Sequence, residues 1–362
     1  MRAITKYRLK NLEMLRSIMI NRNYPIFIAC FSFLLIFNCN NNPVDWHNDD
    51  LIEFESVWQY LKVYSIYQDS SIYEGRIPQN PFLFTHPQEI LESAHDTLKN
   101  NLYTTYYDEG SEGFYSTAMS KTHSRYVWLD TLTDSTVLLK IETFLFPQVY
   151  DQFVSCVSKV EDFPNMIIDL RDNRGGDLDI HESVLEAFLP SGVEYIMARE
   201  RIYDPHGNPK AYTREWHPWV TKKDSRQTLK NKKFVILIDG YTASASEIFA
   251  SAMRECKDAV IAGKENSYGK AIGQIRLQRR KRPTIQITYL QLREMGNYDY
   301  HRIGLKPDVY IPDSYNENEL KLHAVKLLEP SATGLKKASE KKASQIYESM
   351  NGFRIISEES LK

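Results

Sequence analysis

The stretch FVILIDGYTASASEIFASAM, residues 234–253, decides the fold of this chain. Its first six residues form a short, apolar and β-branched run that a glycine ends, which is typical of a buried strand. Small residues follow, and Ile248, Phe249 and Met253 then recur at helical spacing. The stretch therefore predicts a buried strand that leads directly into a helix, with Ser244 at the start of that helix.

Ser244 has two interpretations. The first turn of a helix carries backbone N–H groups without helical partners at the positive end of the macrodipole, so a hydroxyl there suits a nucleophile. Ser244 and Glu247 also fit the S-x-x-E capping box, in which the serine only caps the helix, and this stretch alone favours the cap. Lys270 changes the balance, because a buried lysine near a hydroxyl can act as general base in a Ser-Lys mechanism.

Four sequence blocks carry a resemblance to a known family. They are MIIDLRDNRGGD (166–177), TASASEIFASAM (242–253), SYGKAIGQ (267–274) and GLKPDVYIP (304–312). In this order they resemble the carboxy-terminal processing peptidases, also called tail-specific proteases, over roughly residues 137–313. The resemblance implies a serine peptidase with an α/β fold of the ClpP/crotonase-like type, and it implies no cofactor and no metal.

The resemblance also assigns roles to individual residues. Ser244 matches the family's nucleophile, Lys270 its general base, and Gln274 the glutamine that helps to hold the lysine. The backbone N–H groups of Ala245 and Gly176 match the oxyanion hole.

Other positions are less regular. Glu255 falls where some members carry an acidic residue near the dyad, which gives it a possible supporting role. The segment LRDNRGG (170–176) is called the glycine loop here, and in it Asp172 and Arg174 replace the more usual small or glycine residues. The segment 263–270 is one residue longer than the common pattern. His181 is a rival general base, although its position predicts a surface histidine on a helix.

Composition narrows the class of protein. The chain has 362 residues with an ordinary share of apolar and charged side chains, which predicts one or two soluble domains. The formal net charge is −2, but residues 1–38 hold six basic side chains and one acidic one, so the remainder carries −7. An acidic remainder argues against a nucleic-acid partner. The Cys and His spacings match no metal site.

The first residues predict a targeting segment. Residues 1–38 combine a basic region with the apolar run 26–37, which is too short to span a bilayer comfortably. Cys39 follows at once and resembles the lipid-acceptor cysteine of bacterial lipoproteins. We therefore expect a signal peptide, a lipid anchor in the cell envelope and a polar tether over residues 39–50. The alternatives are a plain secretory signal or a short buried helix.

The remaining chain divides into three predicted parts. Residues 51–136 predict a helical N-terminal region whose second helix starts near Thr85 and runs to Leu98. Many relatives insert a PDZ domain after such a region, but only about 35 residues are available here, too few for a domain. Residues 137–313 form the predicted peptidase domain, and residues 314–362 a C-terminal helix and a charged tail.

The order of elements in the peptidase domain predicts its architecture. Strands and helices alternate from residue 137 onwards, which predicts a mainly parallel, helix-covered sheet. Turn-forming residues between strand-like runs predict two hairpin extensions. The predicted hairpins pair 194–203 with 210–216 and 272–278 with 284–292, and a later helix covers 317–328.

Two functions compete for this sequence. The first is a serine endopeptidase that cuts proteins or peptides in the cell envelope. The second is an envelope binding or scaffold lipoprotein with the same fold but no activity, in which Ser244 is only a cap. A third interpretation, an acyl-transforming enzyme of the crotonase type, requires an acyl-CoA site that the sequence does not reveal.

Overall fold

The computed structural model describes residues 48–68, 84, 86–93, 97–98, 101–107, 125–202, 212–279, 282–330 and 332. The chain divides into two units, Met1–Ile52 and Glu53–Lys362, and the site lies in the second. The predicted signal peptide, Cys39 and the charged tail lie outside the described residues. No helix in the described ranges is long and apolar enough to cross a membrane.

A six-stranded sheet forms the centre of the second unit. Its strands are β4 (Val127–Thr131), β5 (Thr136–Ile141), β6 (Asn165–Asp169), β9 (Lys233–Ile238), β10 (Val260–Gly263) and β13 (Val309–Tyr310). Their order is β13-β10-β9-β6-β5-β4, and every neighbouring pair is parallel except β4 with β5. The mainly parallel sheet confirms the predicted fold class.

Helices cover both faces of this sheet. On one face lie α3 (Gln148–Val157), α4 (Leu178–Leu185) and α5 (Ala245–Lys257), and on the other lies α6 (Glu317–Leu328). Alternate residues of β6 and β9 enter the two cores, so Ile168 and Ile236 face α5 while Ile167 and Val235 face α6. Strands buried on both faces must be apolar throughout, which explains the continuous apolar runs.

The same unit contains a second, antiparallel sheet. It contains β7 (Glu194–Ile202), β8 (Tyr212–Val220), β11 (Ile272–Arg279) and β12 (Arg282–Arg293), in the order β11-β12-β7-β8. Both predicted hairpins are present in it. The short strand β3 (Thr105–Tyr107) pairs with β12 and so attaches the N-terminal region to this sheet.

The described part of the N-terminal region is less helical than predicted. Helix α1 spans Asn48–Tyr64, so it begins inside the predicted tether, and α2 spans only Pro87–Glu92. Leu98, predicted in the second helix, lies instead in β1 (Thr97–Leu98), which pairs with β2 (Asn101–Leu102). Strand β4 belongs to the central sheet, so the sheet begins before the predicted domain boundary at residue 137.

Candidate active site

Ser244 lies in the turn between β9 and α5, and its backbone is unusual. Its φ is 57° and its ψ is −121°, whereas the cap residue of a helix normally has extended dihedrals with a negative φ. Few residues with a side chain adopt a positive φ, and such conformations cluster at functional sites. The side chain is 8% exposed. The backbone of Ser244 thus departs from that of an ordinary cap.

Glu247, one turn into α5, joins the predicted nucleophile to the predicted base. It is fully buried, and its Oε2 accepts hydrogen bonds from the backbone N–H groups of Ser244 and Lys270, each at 2.8 Å. Two donors on one oxygen keep those nitrogens at most 5.6 Å apart, the sum of the two distances. The backbones of the two residues are therefore adjacent.

The other oxygen of Glu247 holds the loop before the lysine. Its Oε1 accepts from the backbone N–H of Gly269 at 2.6 Å and from the hydroxyl of Ser267. Burial raises the pKa of Glu247 above its usual range, and the four donors oppose that rise by stabilising the carboxylate. The whole hydrogen-bonding capacity of this carboxylate is thus directed at the loop and at the Ser244 turn.

The fourth sequence block (304–312) and the residues just before it hydrogen-bond to the loop 267–270. Ser267 donates its N–H to the carbonyl of Leu305 at 3.1 Å, and its hydroxyl oxygen accepts from the N–H of Leu305 at 2.7 Å. The N–H of Arg302 donates to the carbonyl of Gly269 at 2.7 Å. Gly304 can approach Ser267 because it has no side chain: a Cβ there would lie 2.1 Å from the Ser267 carbonyl oxygen.

The glycine loop after β6 packs directly on the Ser244 turn. A Cβ on Gly175 would lie 2.9 Å from both the Ala245 nitrogen and the Ser244 Cβ. Asn173 connects the loop to the turn, because its carbonyl accepts from the N–H of Ala243 at 3.0 Å and its side chain accepts from Gly175 at 2.9 Å. This contact requires a glycine at position 175.

Two backbone donors remain at this junction. In the described part of the chain, neither the N–H of Gly176 nor that of Ala245 has a hydrogen-bond acceptor. Gly176 forms an isolated parallel bridge with Phe144, and a Cβ at 176 would lie 2.2 Å from the Phe144 carbonyl carbon. The loop and the helix start therefore offer unpaired donors next to Ser244, as an oxyanion site requires.

Lys270 is 2% exposed, and its Nζ lies 4.7 Å from the ring centroid of Tyr103. Gln274 lies on β11, where its amide donates to Thr288 Oγ1 at 3.4 Å. Its role in holding the lysine stays a prediction. The unusual Arg174 of the glycine loop lies with its guanidinium 5.1 Å from the ring centroid of Tyr241.

Two other predicted candidates lie elsewhere. Glu255 is exposed and lies eleven residues after Ser244, about 16 Å along the helix axis, so the acid beside the predicted dyad is Glu247. The sequence predicted His181 on the surface of a helix, but the structure places it in the core, where it is 1% exposed. Its ring contacts Phe144 edge to face, and burial lowers its pKa to about 3. Among the described residues no hydrogen bond joins its ring nitrogens to Ser244, so the geometry gives the rival base no support.

Sequence reasoning missed three residues that build this site. Glu247 was interpreted only as half of a capping box, and Asn173 only as part of a motif. Tyr103 lies in a segment without any recognisable motif, and no local signal identifies it. All three act through contacts between residues distant in sequence.

A cavity of about 300 Å³ lies on the α6 side of the central sheet, and none of its lining residues is a predicted site residue. Among the described residues, no group of three His, Cys, Asp or Glu side chains could hold a metal ion.

The fold and the site together define a class. A parallel, helix-covered sheet carries a serine in a strained turn at a helix start, a buried lysine beside it and a glycine loop with unpaired donors, an arrangement suited to nucleophilic serine chemistry. Residues 135–311 match the model of peptidase family S41. This match and the curated relatives confirm the resemblance to the carboxy-terminal processing peptidases.

Individual relatives agree with this assignment. The chloroplastic carboxyl-terminal-processing peptidase 2 of Arabidopsis thaliana is 27% identical over 157 residues, which cover 42% of this chain and 27% of that protein. The carboxy-terminal processing protease CtpB of Bacillus subtilis (strain 168) is 29% identical over 180 residues, covering 48% of this chain and 34% of that protein. The matches thus span about a third of the length of these relatives.

Two solved structures share the fold. A lipoprotein from Streptococcus agalactiae has a TM-score of 0.53 at 13% identity and covers 82% of this chain and 100% of its own. The photosystem II D1 C-terminal processing protease has a TM-score of 0.53 at 14% identity, covering 74% and 94%.

Proposed function

We propose that this protein is a serine endopeptidase that hydrolyses peptide bonds with Ser244 as nucleophile and Lys270 as general base. The observation that carries the proposal is the shared carboxylate oxygen of Glu247, which accepts from the N–H groups of both residues at 2.8 Å. The match of residues 135–311 to the model of peptidase family S41 supports a protein or peptide as substrate. The names of the curated relatives, which are processing peptidases and proteases, support the same substrate class.

The reaction begins with transfer of the Ser244 proton to the amine nitrogen of Lys270 while Oγ attacks the carbonyl carbon of the substrate. The carbonyl oxygen becomes an oxyanion and accepts hydrogen bonds from the N–H groups of Ala245 and Gly176. Lys270 then gives its proton to the leaving amine, and an acyl-enzyme remains on Ser244. Water attacks this ester, Lys270 takes the proton of the water, and that proton returns to Ser244 as the acid product leaves.

The unpaired donors support this use of the glycine loop. A backbone N–H that has no acceptor near a nucleophile is available to the negative charge that develops in the transition state. One such donor contributes on the order of 10²–10³ in kcat. Each of these steps uses protein groups and water.

The competing function is an inactive scaffold with the same fold. The positive φ of Ser244 favours the enzyme, because a residue that only caps a helix has no need of a strained backbone. The test is hydrolysis of an unfolded, fluorophore-labelled protein by the wild type, Ser244→Ala and Lys270→Ala. The enzyme requires turnover by the wild type and its loss in both folded variants, whereas equal fluorescence change in all three supports the scaffold.

We further propose that the protein is exported and held in the cell envelope through a lipid on Cys39. The basic and apolar segments before Cys39 support this location. A single acyl chain binds a membrane weakly, so retention requires the several chains of a bacterial lipoprotein. Cys39→Ser is then expected to move the protein from the membrane fraction to the soluble envelope fraction. A wild type that is already soluble, with a mature N-terminus beyond Cys39, contradicts the proposal.

A further inference from the structure

Tyr103 lies far from the motif residues in sequence but next to them in space. It sits between β2 and β3, is 3% exposed, and packs in a small buried cluster with Ala243, Tyr268 and Ile272. Ala243 directly precedes the nucleophile, and the other two flank Lys270 by two residues on either side. The Tyr103 side chain thus contacts the elements that carry both members of the dyad.

The backbone around Tyr103 is fixed by the antiparallel sheet. Its carbonyl accepts from the side-chain amide of Gln286 at 3.0 Å, and the hydroxyl oxygen of Thr104 accepts from the N–H of Thr288 at 3.2 Å. The next residues form β3, which pairs with β12. Since these contacts do not involve Lys270, the sheet places the ring beside the lysine independently of the amine.

The distance between the amine and the ring has a chemical consequence. An ammonium group within about 6 Å of an aromatic centroid is attracted by the negative face of the ring, and the attraction is stronger where water is excluded. The Nζ of Lys270 is 4.7 Å from the Tyr103 centroid, and both side chains are buried. A neutral amine has no net charge to attract, so the ring favours the protonated form.

The loop 267–270, which carries Lys270, has other titratable and charged groups around it, and their contacts differ from that of Tyr103. Glu247 accepts a hydrogen bond from the backbone N–H of Lys270. Tyr268 lies two residues before Lys270 in the same loop and packs against Tyr103. Tyr300 is a fully buried phenol whose pKa burial raises well above its usual range, so it stays neutral. Arg302 binds Gly269 through its backbone, and its side chain is exposed. The ring of Tyr103, by contrast, faces the Lys270 amine with its centroid 4.7 Å from Nζ.

We propose that Tyr103 is a positioning residue for the reaction: its ring face holds the Lys270 amine beside Ser244 after each proton transfer and sets the pH range of activity. This inference rests on the proposed Ser-Lys function. It adds a residue of the N-terminal region to a site whose other parts all lie after residue 172.

The expected effect is a shift in the pH profile. Tyr103→Leu keeps an apolar side chain but removes the ring, so the midpoint of the rising limb should fall by about one pH unit. Tyr103→Phe keeps the ring and should restore the wild-type midpoint. Tyr67→Leu is the matched control, because Tyr67 is equally buried at 3% in a turn that holds none of the site residues.

The measurement is the rate at which a fluorophosphonate labels the protein between pH 5 and pH 10, in wild type and variants. A lower midpoint in Tyr103→Leu, with unchanged midpoints in Tyr103→Phe and Tyr67→Leu, supports the inference. The same midpoint in Tyr103→Leu as in a labelled wild type overturns the inference and leaves the Ser-Lys function standing. A wild type that is never labelled overturns the proposed function, and the inference with it.

Discussion

Replacing Glu247 by glutamine is expected to weaken the hydrogen bonds that hold the predicted catalytic pair together, without removing either member. The carboxylate accepts four hydrogen bonds, from Ser244, Lys270, Gly269 and Ser267, but a glutamine amide has one oxygen and one NH₂ group. If the oxygen faces the Ser244 and Lys270 donors, the NH₂ group faces the other two. The Ser267 hydroxyl can rotate to accept, but the Gly269 N–H cannot, so one buried donor is left unpaired.

The size of the effect follows from these contacts. An unpaired buried donor costs about 1–3 kcal/mol, and each retained bond weakens by about 1 kcal/mol when its acceptor loses its charge. The neutral amide is easier to bury than the carboxylate, which offsets part of the loss. We expect Glu247→Gln to lower the free energy of unfolding by about 2–4 kcal/mol. A shift of about 1 Å between Ser244 and Lys270 would lower turnover about 10²-fold.

The assay combines urea denaturation with hydrolysis of an unfolded protein substrate by the fraction that remains folded. Glu255→Gln is the matched control, because Glu255 lies exposed on the same helix, and its change should stay within about 0.5 kcal/mol with normal turnover. If Glu247→Gln unfolds at the wild-type urea concentration and hydrolyses substrate at the wild-type rate, Glu247 does not organise the site.

Three further substitutions test separate parts of the account. Gly176→Ala places a Cβ 2.2 Å from backbone of Phe144 and displaces the donor at 176, so kcat should fall about 10²–10³-fold, whereas Gly296→Ala, with no atom within 4 Å, should leave kcat unchanged. His181 has a pKa lowered by burial to about 3, so the unfolded chain takes up a proton that the folded chain refuses, and stability should fall by up to about 1.4 kcal/mol per unit as the pH drops below 6.5. Thermal unfolding at pH 4.5 and 7 should show a smaller loss in His181→Leu, and an identical loss contradicts a neutral buried imidazole. Lys270→Arg keeps a positive charge that does not dissociate, so it should fold but hydrolyse no substrate, and retained turnover would exclude Lys270 as the base.

Local patterns were sufficient for most of the fold. The apolar run before Gly240 predicted β9 within one residue at each end, and the helical spacing after Ser244 predicted where α5 begins. Helix 317–328 has the predicted bounds. These elements follow from periodicity that a single sequence carries. The region before residue 136 was predicted less well, because strand β3 depends on pairing with β12, which is far away in sequence.

Local sequence patterns also identified only part of the candidate site. The motifs identified Ser244, Lys270 and the glycine loop, because those residue types are unusual in that spacing. The sequence could not indicate that Glu247 is fully buried between two loops, since an exposed capping box has the same S-x-x-E residue pattern. Glu255 was the acid that the motif suggested, and it lies exposed at the other end of the helix. Burial and long-range contacts decide between two such acids, and neither is a local property.

Mass spectrometric mapping of a fluorophosphonate adduct tests the central claim most directly. In the reaction Ser244 Oγ bonds to phosphorus and fluoride leaves, so the mass of one modified peptide increases by the phosphonyl group. The account predicts a single adduct at Ser244 in the wild type, and its loss in Lys270→Ala although Ser244 is still present. An adduct on another residue, or labelling of Ser244 at an undiminished rate in Lys270→Ala, would contradict it.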